Sequence, residues 1–340
     1  MTYQENRSDS LRYKEEYLSG LEALLHARQK DAAAQRKVRA AAILREPEKY
    51  RAELREMLGF PLNQEKPGTA PLVESELLSE EDGYNVYRLR IEILENLTMT
   101  GIYFCRHGDE KKPLVIVQHG GAGTPELISG FFGSTSNYND MLMRVFEQDV
   151  HVFAPQLLLW DVAKYGASYD RPMMDARLKR VGSSITAIEV FGMMRALDYF
   201  ETVPNVSCFG MVGLSYGGFY TQMMAALDTR IESAISCSYF NERDRHPRPD
   251  WTWNGSAHLF DDAELALLVY PRKLCLAVGE KDTLFACEGA KSAFSTLQEA
   301  CNAIDTEWVD FFTFDGVHEF FFDDEAIKKL ALELKRHTRG

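Results

Sequence analysis

Basic residues are scarce in this chain of 340 residues, in which 38 Lys and Arg face 51 Asp and Glu, giving a formal net charge of −13. Proteins that bind nucleic-acid phosphates or anionic membrane surfaces need concentrated positive charge. The composition therefore excludes nucleic acids and anionic membranes as partners. No apolar run reaches about 18 residues, and we therefore expect no transmembrane helix. Residues 1–6 lack the basic-then-apolar order of a signal peptide, and we expect a cytoplasmic protein.

Motifs for disulfides, metals and nucleotides are also missing. The six cysteines show no C-x-x-C spacing and several lie in apolar runs, which favours reduced core thiols. Neither G-x-x-x-x-G-K-[ST] nor a G-x-G-x-x-G after a strand occurs, so we expect no nucleotide cofactor. No spacing signature supports a metal site either, although ligand types alone would allow one built on His246, Asp250, His258 and Asp261.

The first part of the chain is charged and helical in pattern. Pro47 stands where a first helical turn tolerates proline. Apolar residues recur at steps of three and four before it; they are Tyr17, Leu18, Leu21, Leu24 and Leu25. We expect these helices to pack on the main body or on a second subunit, which makes a homo-oligomer a candidate; a partner-binding arm is the alternative. Residues 59–72 are rich in proline and predict a linker, so we divide the chain into a helical extension with linker, 1–73, and a main domain, 74–340.

The periodicity changes after the linker. Residues 86–94 and 98–105 predict an antiparallel hairpin. Short unbroken apolar runs then alternate with helical stretches, at residues 114–117, 150–154, 208–212, 231–236, 274–278 and 307–314. A closing helix carries Ile327, Leu330, Ala331 and Leu334 on one face. This order predicts an α/β protein with a mainly parallel central sheet and helices on both faces, and ligands then bind where the strands end.

A strand-to-helix turn carries the clearest chemical motif. Gly213-Leu214-Ser215-Tyr216-Gly217 follows the run at 208–212 and precedes a helical stretch. Glycines at these two positions let the chain turn sharply enough to expose a nucleophile. A serine hydroxyl is a weak nucleophile, so Ser215 needs a histidine base and a carboxylate that orients the base.

Candidates for both partners follow in the expected order. Asp282 comes after the run at 274–278, with Glu280 as the spare candidate. His318 follows the last strand in a glycine-containing loop, whereas His337 lies near the end of the chain. The sequence thus predicts a triad of Ser215, Asp282 and His318.

Donors for an oxyanion should come from the residue after the nucleophile and from the loop after an early strand. We assign the backbone N–H groups of Tyr216 and Gly121, with Gly120 as the less favoured second donor. His119 is expected to orient this loop by hydrogen bonding.

Together, His119-Gly120-Gly121, the serine motif, Asp282 and His318-Glu319 resemble the α/β-hydrolase superfamily from about residue 85 to the end. Within it, the chain resembles the dienelactone-hydrolase-like esterases, a group that includes acetyl xylan esterases. The resemblance implies an α/β-hydrolase fold and ester hydrolysis. Ser215 stands where dienelactone hydrolases carry cysteine, and Gly121 stands where the acetyl esterases usually carry an aromatic residue.

Two insertions follow strands at the expected catalytic edge. They combine aromatic and cationic side chains, which suit a sugar ring or an anionic group, and we take Trp160, Arg171, Trp251 and Trp253 as candidate substrate contacts. An ordinary polar loop anchored by Trp251 and Trp253 is an equally good interpretation.

The predicted activity is that of a serine carboxylic-ester hydrolase that works through an acyl-enzyme and needs only water, with no cofactor or metal. Small esters are the expected substrates, with acylated carbohydrate or plant-derived fragments as candidates. A serine peptidase of the prolyl-oligopeptidase type is the alternative, although too few residues precede the hairpin for a propeller domain. A non-catalytic binding protein with a hydrolase fold is the third hypothesis.

Overall fold

Two consecutive helices open the chain, α1 (Arg7–Arg45) and α2 (Pro47–Leu58). The computed structural model describes residues 1–159, 169–301 and 306–338. Pro47 is the first residue of α2, where its missing N–H leaves no helical hydrogen bond unmade. The predicted helical N-terminal extension is confirmed, while its separation from a main domain at residues 73 and 74 stays a prediction.

One nine-stranded sheet lies at the centre of the structure, in the order β1-β2-β3-β5-β4-β6-β7-β8-β9. The pairs β1–β2, β2–β3 and β3–β5 are antiparallel, and all other neighbours are parallel. The strands are β1 (Val73–Glu81), β2 (Tyr84–Leu94), β3 (Leu97–Arg106), β4 (Lys112–Gln118), β5 (His151–Pro155), β6 (Val206–Leu214), β7 (Ile231–Cys237), β8 (Lys273–Gly279) and β9 (Val309–Phe314). The predicted hairpin is β2–β3, and the predicted mainly parallel sheet is confirmed.

Strand β1 was not predicted. It pairs with β2 along the edge of the sheet, with Val73 opposite Ile91 and Glu81 opposite Tyr84. Seven of its nine residues are exposed and the other two are half-buried, so neither face shows the alternation of apolar and polar residues that marks a half-buried strand.

Helices cover both faces of the sheet. They are α3 (Pro125–Ile128), α4 (Met141–Phe146), α5 (Arg171–Lys179), α6 (Ile185–Phe200), α7 (Tyr216–Leu227), α8 (Ser256–Leu259), α9 (Asp262–Leu267), α10 (Cys287–Ala300) and α11 (Glu325–Thr338). Successive side chains of a strand point to opposite faces. In β4, Leu114 and Ile116 accordingly join the core formed with α6 and α7, and Val115 and Val117 join the core formed with α4 and α11.

Parallel packing brings several loops to one edge of the sheet. The loops after β4, β6, β8 and β9 all leave from the carboxyl ends of parallel strands. They carry Gly121, Ser215, Asp282 and His318 in that order. Across the described ranges, no helix has both the length and the apolar character that crossing a bilayer requires.

Candidate active site

Ser215 occupies the sharp turn between β6 and α7. Its backbone has φ 61° and ψ −121°, a region that non-glycine residues rarely adopt. A Cβ at Gly213 would lie 2.2 Å from the carbonyl oxygen of Gly217, and one at Gly217 would lie 2.1 Å from that of Gln118. Both positions therefore require glycine, and the strained turn presents the serine at the edge of the sheet.

Asp282 and His318 form a hydrogen-bonded pair. The distance from His318 Nδ1 to Asp282 Oδ2 is 2.8 Å. The other oxygen, Oδ1, accepts the N–H groups of Leu284 at 2.8 Å and Phe285 at 2.9 Å. Because the carboxylate accepts from Nδ1–H, the imidazole presents Nε2 as the site for taking up a proton.

Ser215 and His318 line one cavity of about 350 Å³ at this edge. Its other walls are mostly apolar and include one cation; they are Gly120, Gly121, Ala122, Asn137, Tyr138, Leu214, Tyr216, Arg248, Leu284 and Phe285. The stacked rings of Phe285 and His318 have centroids 5.6 Å apart. No hydrogen bond joins Ser215 Oγ to His318 in this structure, and such bonds often shorten only when substrate is bound.

The loop after β4 approaches the serine closely. A Cβ at Gly120 would lie 3.2 Å from that of Ser215. The N–H of Gly120 already donates to the hydroxyl of Tyr138 at 2.8 Å, whereas the N–H of Gly121 donates to no residue in the described part of the chain. Of the two glycines, Gly121 is therefore the one whose N–H can serve a ligand.

His119 supports this loop through two hydrogen bonds to backbone groups. Its Nε2 accepts the N–H of Leu157 at 3.2 Å, so the ring proton is on Nδ1, which donates to the carbonyl of Gly120 at 2.9 Å. Complete burial lowers the pKa of His119 to about 4. The side chain is consequently neutral near pH 7 and supports the loop instead of exchanging protons with a ligand.

Arg171 lies in a buried network and not at the cavity. Its Nε donates to Asp250 Oδ2 at 2.7 Å, and its Nη2 donates to Glu189 Oε2 at 2.8 Å and to the Tyr220 hydroxyl at 2.7 Å. The hydroxyl of Tyr216 donates to Asp250 Oδ2 at 3.0 Å. We call these five residues the Arg171 network. Arg171 is 2% exposed, so we assign it to the support of the site and not to a substrate contact.

The Arg171 network anchors the first turn of α7. Tyr216 and Tyr220 are four residues apart and therefore lie on the same face of this helix. Burial, and then the charge of Asp250, raise the pKa of Tyr216, so its phenol stays protonated and continues to donate. The network thereby fixes the residue whose backbone N–H is the predicted oxyanion donor. Sequence reasoning missed Glu189 altogether, and considered Asp250 only as a metal ligand.

The tryptophans predicted as substrate contacts do not line the cavity in the described ranges. Trp251 is 1% exposed, and its ring centroid lies 4.5 Å from that of Tyr216 and 5.0 Å from that of Phe219. Trp253 is also buried, with Lys179 Nζ 5.3 Å from its ring centroid. Trp160, the remaining candidate, lies outside the described residues.

Arg248 is the cation that the same insertion does bring to the cavity. Its guanidinium lies 5.6 Å from the ring centroid of Tyr216 and 5.3 Å from that of Trp251. In the sequence, the mixture of aromatic and cationic residues indicated that this insertion contributes to the cavity, but it did not identify Arg248 as the residue that does so. Among the described residues, no three His, Cys, Asp or Glu side chains are grouped as a metal site, and Asp250 is engaged by Arg171.

Comparison with known proteins gives matches at the level of structure alone. No protein-family model matches the sequence, and no curated protein matches it. A candidate acetyl xylan esterase from Bacteroides fragilis superposes with a TM-score of 0.62 at 14% identity over 81% of this chain and 76% of that one. For glucuronoyl esterase from Solibacter usitatus the TM-score is 0.60 at 15% identity, over 87% of this chain and 92% of that one.

Acetyl xylan esterase 1 from a Thermoanaerobacterium species superposes with a TM-score of 0.55 at 15% identity, over 85% of this chain and 93% of that one. All these identities are low, so the matches bear on the fold. The order of the strands, the serine turn after β6 and these superpositions lead to one conclusion: the chain has the α/β-hydrolase fold.

Proposed function

We propose that the protein is a serine hydrolase of small carboxylic esters, with Ser215 as nucleophile, His318 as general base and acid, and Asp282 as the carboxylate that orients His318. The observation that carries the proposal is the 2.8 Å pair of His318 Nδ1 and Asp282 Oδ2, on the cavity that Ser215 also lines. A carboxylate, an imidazole and a strained serine in this order supply what acyl transfer requires.

In the first step, Ser215 Oγ attacks the carbonyl carbon of the ester while His318 Nε2 takes up the hydroxyl proton. The carbonyl oxygen becomes an oxyanion that the N–H groups of Tyr216 and Gly121 stabilise. His318 then gives its proton to the departing alcohol, and the acyl group remains bonded to Ser215. Asp282 stabilises the imidazolium that forms between these two proton transfers.

The second step removes the acyl group with water. His318 Nε2 takes a proton from the water as its oxygen attacks the acyl carbon, and the same oxyanion donors act again. Cleavage of the bond to Ser215 Oγ releases the carboxylic acid, and the proton on His318 returns to the serine. The chemistry balances with ester and water as the reactants, and needs no cofactor.

Several features favour a small acyl group on a polar alcohol as substrate. Leu214, Leu284 and Phe285 give the cavity apolar walls, and its volume of about 350 Å³ is small. Arg248 adds a positive charge to the cavity wall, which suits hydroxyl or carboxylate groups on the alcohol part. Acylated carbohydrate or plant-derived esters therefore stay our candidates, in keeping with the acetyl xylan and glucuronoyl esterases among the structural matches.

We place the enzyme in the cytoplasm. All six cysteines are unpaired thiols, as is usual in reducing compartments. Fractionation of cells that produce the chain, followed by immunodetection, tests this assignment.

The test of the activity is hydrolysis of nitrophenyl esters from acetate to octanoate, with a proline nitroanilide as the peptidase substrate. We compare the wild type with Ser215→Ala, and use Ser75→Ala as the control because that serine is exposed on β1. We expect turnover of short esters, a fall in kcat of about 10⁴-fold or more in Ser215→Ala, and no change in the control.

Labelling with a fluorophosphonate separates the alternatives. A wild type that is labelled at Ser215 but cleaves only the nitroanilide would be a peptidase, which contradicts the proposed ester preference. A wild type that neither reacts with the probe nor turns over any ester contradicts the enzymatic proposal and favours a binding protein. Ester turnover that survives in Ser215→Ala contradicts the assignment of the nucleophile.

A further inference from the structure

In the part of the chain that the structure describes, a broad apolar face on the amino-terminal half of α1 is exposed. Side chains at steps of three, four and seven residues lie along one side of the helix, and each exposes between 45% and 72% of its surface. We call this set the α1 apolar face; it consists of Leu11, Tyr17, Leu18, Leu21, Leu24 and Leu25. The helix spans 39 residues, so this half extends well beyond the residues of α1 that contact the rest of the protein.

The α1 apolar face continues a face that is buried further along the same helix. Leu11, Leu18, Leu25 and Ala32 are spaced by seven residues, and Ala32 is 1% exposed. Beyond it, Arg36 binds the carboxylates of Asp261 and Glu264 at 3.3 Å each. One side of α1 therefore packs on the main body in its second half, and no described residue covers it in its first half.

The exposed area is large for a protein that acts alone. The six fractions together equal about 3.4 fully exposed side chains, or about 600 Å² per chain at about 180 Å² each. Single apolar patches on monomers seldom exceed a few hundred Å². Two such faces packed together would bury about 1,200 Å², which is at the lower end of the range of specific interfaces.

We propose that the α1 apolar face binds the α1 apolar face of a second copy of this chain and forms a two-fold symmetric dimer. Leucines repeating every seven residues, with Leu21 between Leu18 and Leu25, are the pattern of a helix that packs against another helix. A two-fold pairing satisfies both faces at once, because each copy presents the same surface.

Charge favours an antiparallel arrangement. Lys14 and Arg28 lie on the same side of the helix as Leu21, one heptad before it and one after it. Parallel pairing in register would place each of these cations next to the same cation of the second copy, where the like charges repel. Antiparallel pairing with Leu18 opposite Leu21 of the second copy instead places Lys14 beside Leu25 and Arg28 beside Leu11, where their aliphatic stems can pack.

The test is the molar mass of the full chain by light scattering or analytical ultracentrifugation at about 1 to 100 μM. We expect a wild-type mass of twice the 38.7 kDa of one chain. Leu18→Glu with Leu21→Glu should give the mass of one chain. The matched control, Ser19→Glu with Ala23→Glu, adds the same charge to exposed positions on the opposite side of α1 and should stay dimeric.

A second variant guards against loss of the helix itself. Leu18→Ala with Leu21→Ala retains strong helix formers but removes apolar surface, and should raise the dimer dissociation constant at least about tenfold. A wild type that stays monomeric at 100 μM overturns the proposal, and would indicate that the α1 apolar face binds a different protein. So does a control that dissociates as readily as Leu18→Glu with Leu21→Glu. Ester hydrolysis is measured separately, since the proposed dimer does not depend on the proposed activity.

Discussion

Replacing Arg171 with methionine tests the role of the Arg171 network in stability. Arg171 is 2% exposed, and it binds two carboxylates that are themselves almost fully buried, Glu189 and Asp250. Removing one partner of a buried ion pair costs about 3 to 5 kcal/mol, because the remaining charge keeps its desolvation penalty. Two carboxylates lose their partner here, so we expect Arg171→Met to lower the free energy of unfolding by about 5 kcal/mol.

Urea unfolding at pH 7, followed by circular dichroism, measures this loss. Arg177→Met is the matched control, because Arg177 lies exposed on the same helix, and the free energy of unfolding should change by less than about 0.5 kcal/mol. Combining Arg171→Met with Glu189→Gln and Asp250→Asn removes the uncompensated charges. This triple variant should therefore be more stable than Arg171→Met alone, although it changes more side chains.

Either of two results would contradict this prediction. A loss below about 1 kcal/mol in Arg171→Met would mean that the buried carboxylates do not depend on the guanidinium. A triple variant that is less stable than the single variant would mean that hydrogen bonding and shape, and not uncompensated charge, dominate the network.

Two further predictions concern the triad and the glycine loop. Asp282→Asn should lower kcat by about 10⁴-fold with little effect on KM. Glu280 is a nearby carboxylate that binds Thr313 instead, so Glu280→Gln should leave kcat unchanged. Equal losses of kcat in both variants would contradict the assignment of Asp282. Burial lowers the pKa of His119 from 6.5 to about 4, so the unfolded chain takes up this proton first as the pH falls. The free energy of unfolding should therefore fall between pH 6.5 and pH 4 by about 3 kcal/mol more in the wild type than in His119→Gln, and parallel curves from urea titrations at each pH would contradict this.

The sheet and the order of the site residues could be predicted from sequence because both depend on local patterns. Unbroken apolar runs predict parallel strands buried on both faces, and β4, β6 and β8 have that character. The carboxyl ends of parallel strands meet at one edge, so the residues that follow them must lie near each other. Strand order alone therefore brings Ser215, Asp282 and His318 to one end of the sheet, and their roles in catalysis stay a prediction.

What escaped prediction had no local signal. Strand β1 is exposed on both faces, so its sequence lacks the alternation that identifies β2. The position of β5 between β3 and β4 depends on a crossover that periodicity does not encode. Trp251 belongs to a loop rich in charges, which suggested an exposed aromatic surface, yet its ring packs against Phe219 on α7.

The supporting residues of the site are the hardest to recognise, for a physical reason. A nucleophile turn needs glycines at fixed steps, and this spacing is visible in the sequence. Arg171, Glu189 and Asp250 lie far apart in the chain, and each charge alone resembles a solvated surface residue. Their burial is tolerated only because the opposite charges pair with each other, which offsets the cost of desolvation. This pairing requires the tertiary fold, which brings the three side chains together next to Tyr216. The groups that perform the chemistry are thus encoded locally, while those that hold the oxyanion donor in place are encoded by the tertiary structure.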